Sequence, residues 1–498
     1  MSEQRDLANY EGTWESVRRH PIPGWYDDAK LGIFVHWGLY SVPGWAPRVP
    51  DIQQMLVHNG PKRMLRDNPY AEWYLNSMAL PGSPTWRHHR ETYGEDFSYD
   101  RFVRTFDEAS RGADLDAMAD LFQAVGARYV VLTTKHHDGF ALWPSAVAHP
   151  LKGRYHAERD LVGGLSEAVR AKGMRMGLYY SGGYDWPYNG AVLANAADAL
   201  LAAPQSADYR HFVTAHVREL VDLYRPSVLW NDISWPAGGN LASLFAYYYN
   251  TVDDGVINDR WTEPAIGRSR LSVAAVRGAA GLVQLLWPLI PARRKHLTFP
   301  GARHYDFRTP EYDVSNVEPG EKWELARGVG HSFGANRHEA PEDIIGESEL
   351  IQLLCDVVAR NGNLLIGIGP RPDGTIPEPQ LAPLRALGDW LADNGEAIYG
   401  SRPWDLAASE TTDGTPVRFT RVGVDVYALI LGMPLRRRLV LPAIAPDVMD
   451  RVRLVASGEN LKWSNVDGQL VVTLPDRLPL RPVTVLSLGP GVRARSQG

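Results

Sequence analysis

Six side chains with reactive or strongly polar heads fall where strand-like runs of this sequence end: His36, His136, His137, Tyr179, Asp232 and Arg260. Imidazole, phenol and carboxylate are the groups of general acid–base and nucleophilic chemistry, and a guanidinium can hold a carboxylate ionised and oriented. The sharpest of the six is Asp232, in Pro226-Ser-Val-Leu-Trp-Asn-Asp232-Ile-Ser-Trp-Pro236. There a short apolar run ends on a carboxylate, with Trp230 and Trp235 on either side. Its bland reading is the cap of the next helix. Three histidines and an aspartate also raise the question of a metal. Successive residues of an extended strand face opposite ways, so His136 and His137 both ligate only if the strand stops before them. No His-x-x-x-His pair or cysteine ligand supports zinc, and no metal or other cofactor is expected.

The elements that must position these groups alternate. Strand-like runs at 31–38, 128–138, 174–181, 228–230, 256–260 and 363–369 are interleaved with helix-like ones at 109–125, 161–172, 208–225, 241–251 and 347–359. Repeated β-then-α order implies parallel strands covered by helices. In a (β/α) barrel the C-terminal strand ends converge on one face, which would gather the six residues into one pocket. Composition changes near Pro403. Short, partly alternating runs from Arg418 to Leu488 then predict a small antiparallel β-sandwich. The expected division is a barrel over 1–402 and a sandwich over 403–498. The sandwich reads as a stabilising appendage, with sugar binding as the alternative. The glycine-rich pieces Gly362 and Gly367 to Gly369 lack the Gly-Lys-Ser/Thr of a phosphate loop and read as turn geometry, as does Pro372-Asp-Gly-Thr.

A net charge of −6 over 498 residues argues against a general nucleic-acid binder. Sixteen tryptophans exceed what a core needs, and aromatic faces stack on the C–H faces of sugars, so the excess leans toward carbohydrate. Cys355 is the sole cysteine, which rules out an intrachain disulfide. With a polar start at Met1 to Tyr10 and no uninterrupted apolar run of ~20 residues, the expectation is a cytoplasmic protein without an integral membrane segment.

Several stretches together resemble one family. Trp25-Tyr-Asp-Asp-Ala-Lys-Leu-Gly-Ile-Phe-Val-His36-Trp-Gly-Leu-Tyr-Ser-Val-Pro, Tyr70-Ala-Glu72-Trp73-Tyr and Lys135-His-His-Asp-Gly-Phe occur in the order found in the α-L-fucosidases of glycoside hydrolase family 29. They are followed by Gly177-Leu-Tyr-Tyr-Ser-Gly-Gly, Leu229-Trp-Asn-Asp232 and Asn361-Gly-Asn-Leu-Leu-Ile-Gly-Ile-Gly-Pro. The resemblance covers about Trp14 to Gly400. It implies a retaining exo-glycosidase on a TIM-like barrel with a C-terminal β-sandwich, acting on a fucosylated oligosaccharide or glycoconjugate. Carried over, Asp232 is the nucleophile. Glu311, in Tyr305-Asp-Phe-Arg-Thr-Pro-Glu311-Tyr-Asp, is the acid/base; on position alone it would read as a solvated loop acid. His36, His136, His137 and Glu72 resemble ligands for the sugar hydroxyls. Tyr179 and Arg260 match positions beside the nucleophile, while Tyr70, Trp73 and Phe333 suit an apolar wall against the fucose methyl group. Rival readings are a retaining glycosidase for an α-galactoside or arabinoside, and a fucose-binding barrel without catalysis.

One stretch departs from the pattern. Arg260 and Glu311 are 51 positions apart, farther than the resemblance leads one to expect, and the extra chain from Pro264 to Arg303 contains seven Lys or Arg and no acid. Its middle, Ala279 to Ala292, is apolar but broken by two prolines, a length suited to a buried or interfacial segment rather than a span. An insertion over the barrel flank, a lid at the leaving-group site, a homo-oligomer contact and a membrane-surface helix are the readings left open.

Overall fold

The computed structural model describes residues 9–264, 266–295, 301–312, 320–434, 436–446, 449–478 and 480–495. Seven parallel strands form its first sheet: β1 (Leu31–Val35), β2 (Tyr129–Lys135), β3 (Arg175–Ser181), β4 (Val228–Asp232), β5 (Val256–Ile257), β6 (Trp323–Gly328) and β7 (Gly362–Ile368). Their order is β5-β4-β3-β2-β1-β7-β6. Almost every strand residue is buried, because helices cover the outer face and side chains fill the interior.

The two edges of this sheet are joined by an irregular eighth stave. Asn258 bridges to Phe307, Arg308 to Trp323 and Glu311 to Ala326, all in the parallel sense. Asp306 N–H donates to Ile257 O at 2.9 Å, and Glu324 N–H donates to Arg308 O at 2.7 Å. The segment from Asp306 to Tyr312 therefore occupies the sixth position of an eight-stave TIM-like barrel, in chain order around the ring. Inside, Glu324 accepts hydrogen bonds from Tyr26 and Tyr129 hydroxyls and from Trp230 Nε1, so the barrel floor is polar but paired.

The main helices are α1 (Ile52–Arg66), α2 (Leu115–Ala124), α3 (Leu161–Ala171), α4 (Ala196–Leu201), α5 (Ala207–Tyr224), α6 (Leu241–Thr251), α7 (Arg270–Leu286), α8 (Glu347–Ala359) and α9 (Glu378–Asn394). The helix expected over 109–125 is broken: one helix ends at Ser110 and α2 begins at Leu115, with Asp114 accepting from Ala117 N–H as its cap. In α1 the Gly60-Pro61 pair makes a kink, with Gly60 at φ 77°.

From Arg402, eight antiparallel strands and a two-stranded companion form the C-terminal sandwich, built on its own core around Trp404, Phe419 and Leu486. It docks on α8, α9 and the turn after α9 through Arg418–Asp356 (2.5 Å), Trp390 Nε1 to Val483 O (3.1 Å) and Thr420 to Ala397 O (2.8 Å).

The glycines of the β7 stretch need a correction. Gly362, Gly367 and Gly369 all lack positive φ, so turn geometry does not explain them. At Gly369 a Cβ would lie 2.1 Å from Ala335 N, and at Gly367 it would lie 2.6 Å from the Phe333 ring. Close passage of the 333–335 loop over the strand end excludes a side chain there. Gly374 of Pro372-Asp-Gly-Thr, at φ 84°, is a true turn glycine.

Candidate active site

The strand ends bring the six residues together at one mouth of the barrel. Because β2 stops at Lys135, His136 and His137 are free of strand alternation, and their rings sit 4.1 Å apart at their centroids. His136 stacks on Tyr179 at 5.6 Å, and His36 lies 5.9 Å from the same ring.

Asp232 is held from three directions. Its Oδ1 accepts from Arg260 Nη1 at 2.8 Å and from Ile233 N–H at 2.8 Å, while its Oδ2 accepts from the Tyr179 hydroxyl at 2.9 Å. His137 Nε2 stands 3.7 Å from Oδ2. Glu311 Oε1 lies 2.6 Å from the same Arg260 Nη1, and its Oε2 accepts from Tyr70 hydroxyl at 3.3 Å. One nitrogen thus touches both carboxylates, and the two contacts together cap the gap between those oxygens at about 5.4 Å. Arg260 is itself fixed by Thr309: Nε donates to the hydroxyl and Nη2 to the carbonyl, each at 3.0 Å. Asp259 takes the Thr309 hydroxyl at 2.6 Å, which ties the end of β5 to the stave that carries Glu311.

The residue after each carboxylate has a left-handed backbone: Ile233 at φ 69° and Tyr312 at φ 55°. A β-branched residue in that region is a genuine outlier, and each such conformation costs about 1–3 kcal/mol.

Electrostatics follow from burial. It pushes Glu311 above the ordinary glutamate range; Arg260 partly offsets this and the charge of Asp232 adds to it. Burial also opposes the charge of Arg260, but Glu311 and Asp232 outweigh it and raise its pKa. His36 is lowered by burial to about 3. His136 and His137 are held well below the usual range, chiefly by burial; next come the neighbouring imidazoles for His136, and Lys135 for His137. Near neutral pH all three imidazoles are neutral, each with one donor and one acceptor nitrogen, although His137 Nδ1 is already paired with Ser181 Oγ at 2.6 Å and leaves only Nε2 to offer. Nδ1 of His36 and of His136 has no partner among the described residues.

Glu72 accepts from Gly334 N–H at 2.8 Å and Ser332 hydroxyl at 3.2 Å, and burial raises it to about 7. Phe333 packs 4.8 Å from His36 and 5.4 Å from Tyr70, and Trp73 meets His137 edge-on at 5.4 Å. Among the described residues no group of three His, Cys, Asp or Glu is placed to hold a metal.

Sequence reasoning missed the asparagines behind the site. Asn231 N–H donates to Asn258 Oδ1 (3.0 Å) and Asn258 Nδ2 returns to Asn231 O (2.8 Å), so a side-chain amide continues the pairing where β5 stops. Asn231 Nδ2 also reaches Arg260 O at 2.7 Å. The repeated Asn-Asp at 231–232 and 258–259, each closing a strand, was the available signal.

The cavity over Asp232 and Glu311 measures about 470 Å³, within the ~300–1,000 Å³ range of small-ligand sites. Its outer walls are α1, α4 and α7, so the insertion shapes the mouth of the site. The sequence reading of a shorter interfacial run is corrected here. The helical stretch Arg270–Leu289 is, by length and composition, long and apolar enough to cross a membrane, and none of it is buried. Reading only the proline-bounded apolar run shortened it, because Arg277 and the small residues before it belong to the same helix.

The family model described as Alpha-L-fucosidase matches residues 1–275 and 291–396 and passes over 276–290. Human tissue alpha-L-fucosidase is 31% identical over 485 residues, covering 94% of this chain and 89% of its own. The Thermotoga maritima alpha-fucosidase solved with a mechanism-based inhibitor is 40% identical, with TM-score 0.81, covering 97% of this chain and 100% of its own. The same organism's enzyme solved with fucose is 39% identical, with TM-score 0.80, covering 96% and 99%.

Proposed function

The chain belongs to the alpha-L-fucosidase family of glycoside hydrolases, and we propose that it removes terminal α-L-fucose with retention, Asp232 attacking and Glu311 moving the proton. The observation that carries the mechanism is the shared Arg260 contact. Carboxyl oxygens at most about 5.4 Å apart leave no room for the water an inverting enzyme places between them, whereas ~5–5.5 Å is the retaining spacing.

In the first step Asp232 attacks the anomeric carbon as the bond to the leaving oxygen breaks, and Glu311 gives that oxygen its proton. The product is a fucosyl ester on Asp232. With the Asp232 charge gone, a repulsion that raised Glu311 disappears, and Glu311 takes a proton from water as the water attacks the ester. Hydrolysis frees fucose, the carboxylate of Asp232 and a reprotonated Glu311. Tyr179 and the Ile233 N–H keep Asp232 aimed while it is charged.

Neutral His36, His136 and His137, with Glu72, would hold the ring hydroxyls. Tyr70, Trp73 and Phe333 would meet the methyl group that distinguishes fucose from galactose; a CH₂OH there would lose its hydrogen bonds. The solved relative that carries fucose supports this sugar for the site. The lone, buried Cys355 suits a reducing compartment, and the cytoplasm is the proposed location.

Proton NMR of early hydrolysis of an aryl α-L-fucoside tests the reading: α-fucose should appear first and mutarotate. First release of the β anomer, or faster turnover of the configurationally matching α-L-galactoside or β-D-arabinopyranoside, overturns it.

A further inference from the structure

A hydrolase's pocket must hold the leaving group as well as the sugar, and here the two halves differ in chemistry. Past Glu311 the cavity continues between three helices that contribute Leu56 and Met64 from α1, Leu200 from α4, and Val283 and Trp287 from α7 and the turn that follows it. The Trp287 indole N–H is already given to Leu56 O at 3.0 Å, so its ring edge turns no donor toward a ligand. Asn68, on the same wall, has its carbonyl oxygen occupied by Tyr70 N–H at 2.8 Å. The apolar surface also runs on past the rim along α7, where Leu282, Leu285 and Leu286 are exposed.

A second sugar placed here would press most of its hydroxyls against carbon, with few polar groups such as the Asn68 amide to replace the water they lose. An alkyl or aryl group would lose nothing and would bury its surface. Resting on the fucosidase reading, we propose that the leaving group this site selects is apolar: an alkyl, aryl or lipid-like alcohol joined directly to fucose through oxygen, rather than a second sugar. Part of this wall lies outside the family model's match, since Val283 and Trp287 fall within the 276–290 stretch that it passes over.

The test is kcat/KM along n-alkyl α-L-fucosides from methyl to hexyl, beside a fucosyl-α-1,2-galactoside. Beyond the first few carbons the leaving alcohols have nearly constant acidity, so changes report contact rather than bond-breaking. About twofold per methylene, or roughly thirtyfold across the series, is expected, with hexyl fucoside preferred to the disaccharide by at least tenfold. In the L200S/V283S double variant the hexyl-to-methyl ratio should collapse to a few-fold; as a ratio within one preparation, it is insensitive to the fraction of folded enzyme. A flat series, a preferred disaccharide, or an unchanged ratio in the variant overturns the inference while leaving fucosidase activity standing. Hydrolysis of no fucoside at all would instead overturn the reading beneath it.

Discussion

The two ends of the one pocket are built by different rules. At the end proposed for the sugar, His36, His137, Tyr179, Glu72 and Arg260 are 1–4% exposed, and they sit on or beside barrel staves tied by backbone and amide hydrogen bonds. At the leaving-group end, Leu200 is 53% and Val283 45% exposed, on helices outside the ring of strands. Desolvation gives the inner end its neutral imidazoles and its raised carboxyl group, so the chemistry depends on staying dry. The outer end relies on shape and apolar contact alone. On the proposed reading, the barrel fixes the reaction while α7 sets what the reaction is performed on.

The largest test of this division is Asp232→Gly. Turnover of every fucoside should fall by about 10⁴-fold or more, whatever its leaving group, with azide restoring part of it as β-fucosyl azide. Retained activity, or losses that track the leaving group, would break the division at its root. Glu311→Gln comes next and should couple the two ends. Alkyl fucosides should lose about 10²–10⁴-fold, and activated aryl fucosides, which need little protonation, far less. Equal losses would move the proton-donor role to another residue.

The smallest effect concerns the dry interior itself. Glu72 and Glu339 are raised by burial to about 7 and about 8, above the ordinary glutamate value near 4.5. Each therefore binds its proton more tightly in the folded chain. That contribution is whole below about pH 4.5 and is lost as pH climbs through 7 and 8. Thermal unfolding should drop by about 2–4 °C between pH 6 and 9, and Glu72→Gln with Glu339→Gln should flatten the decline. A midpoint that rises over that interval would mean the inner end is wetter than its geometry implies.

The same division governs how much could be read from sequence. Staves that are continuous apolar runs, such as Tyr129–Lys135 and Gly362–Ile368, announce themselves, and the reactive residues stand at their ends. Two staves do not. β6, Trp-Glu-Leu-Ala-Arg-Gly, carries the inward Glu324, whose charge is matched by tyrosines and a tryptophan distant in the chain. The Asp306–Tyr312 stave includes a proline and is held by single bridges, so periodicity finds nothing there. Glu311 was legible only through the resemblance, since a carboxylate in a polar stretch looks like any surface acid until Arg260 is seen beside it. The helix α1 was hidden by its Gly60-Pro61 kink, and with it the apolar wall.

The sixth stave has a consequence for durability. Where β2 and β3 share a long register, this segment has few backbone bonds and leans on side-chain ties such as Thr309 to Asp259 and Asp306 to the Ile257 N–H, yet it carries Glu311, the acid proposed to move the proton. Heat should loosen that stave before the ring as a whole gives way. Such an enzyme would fall silent while still folded and regain its activity on cooling, its working lifetime set by one thin seam rather than by the bulk of the barrel.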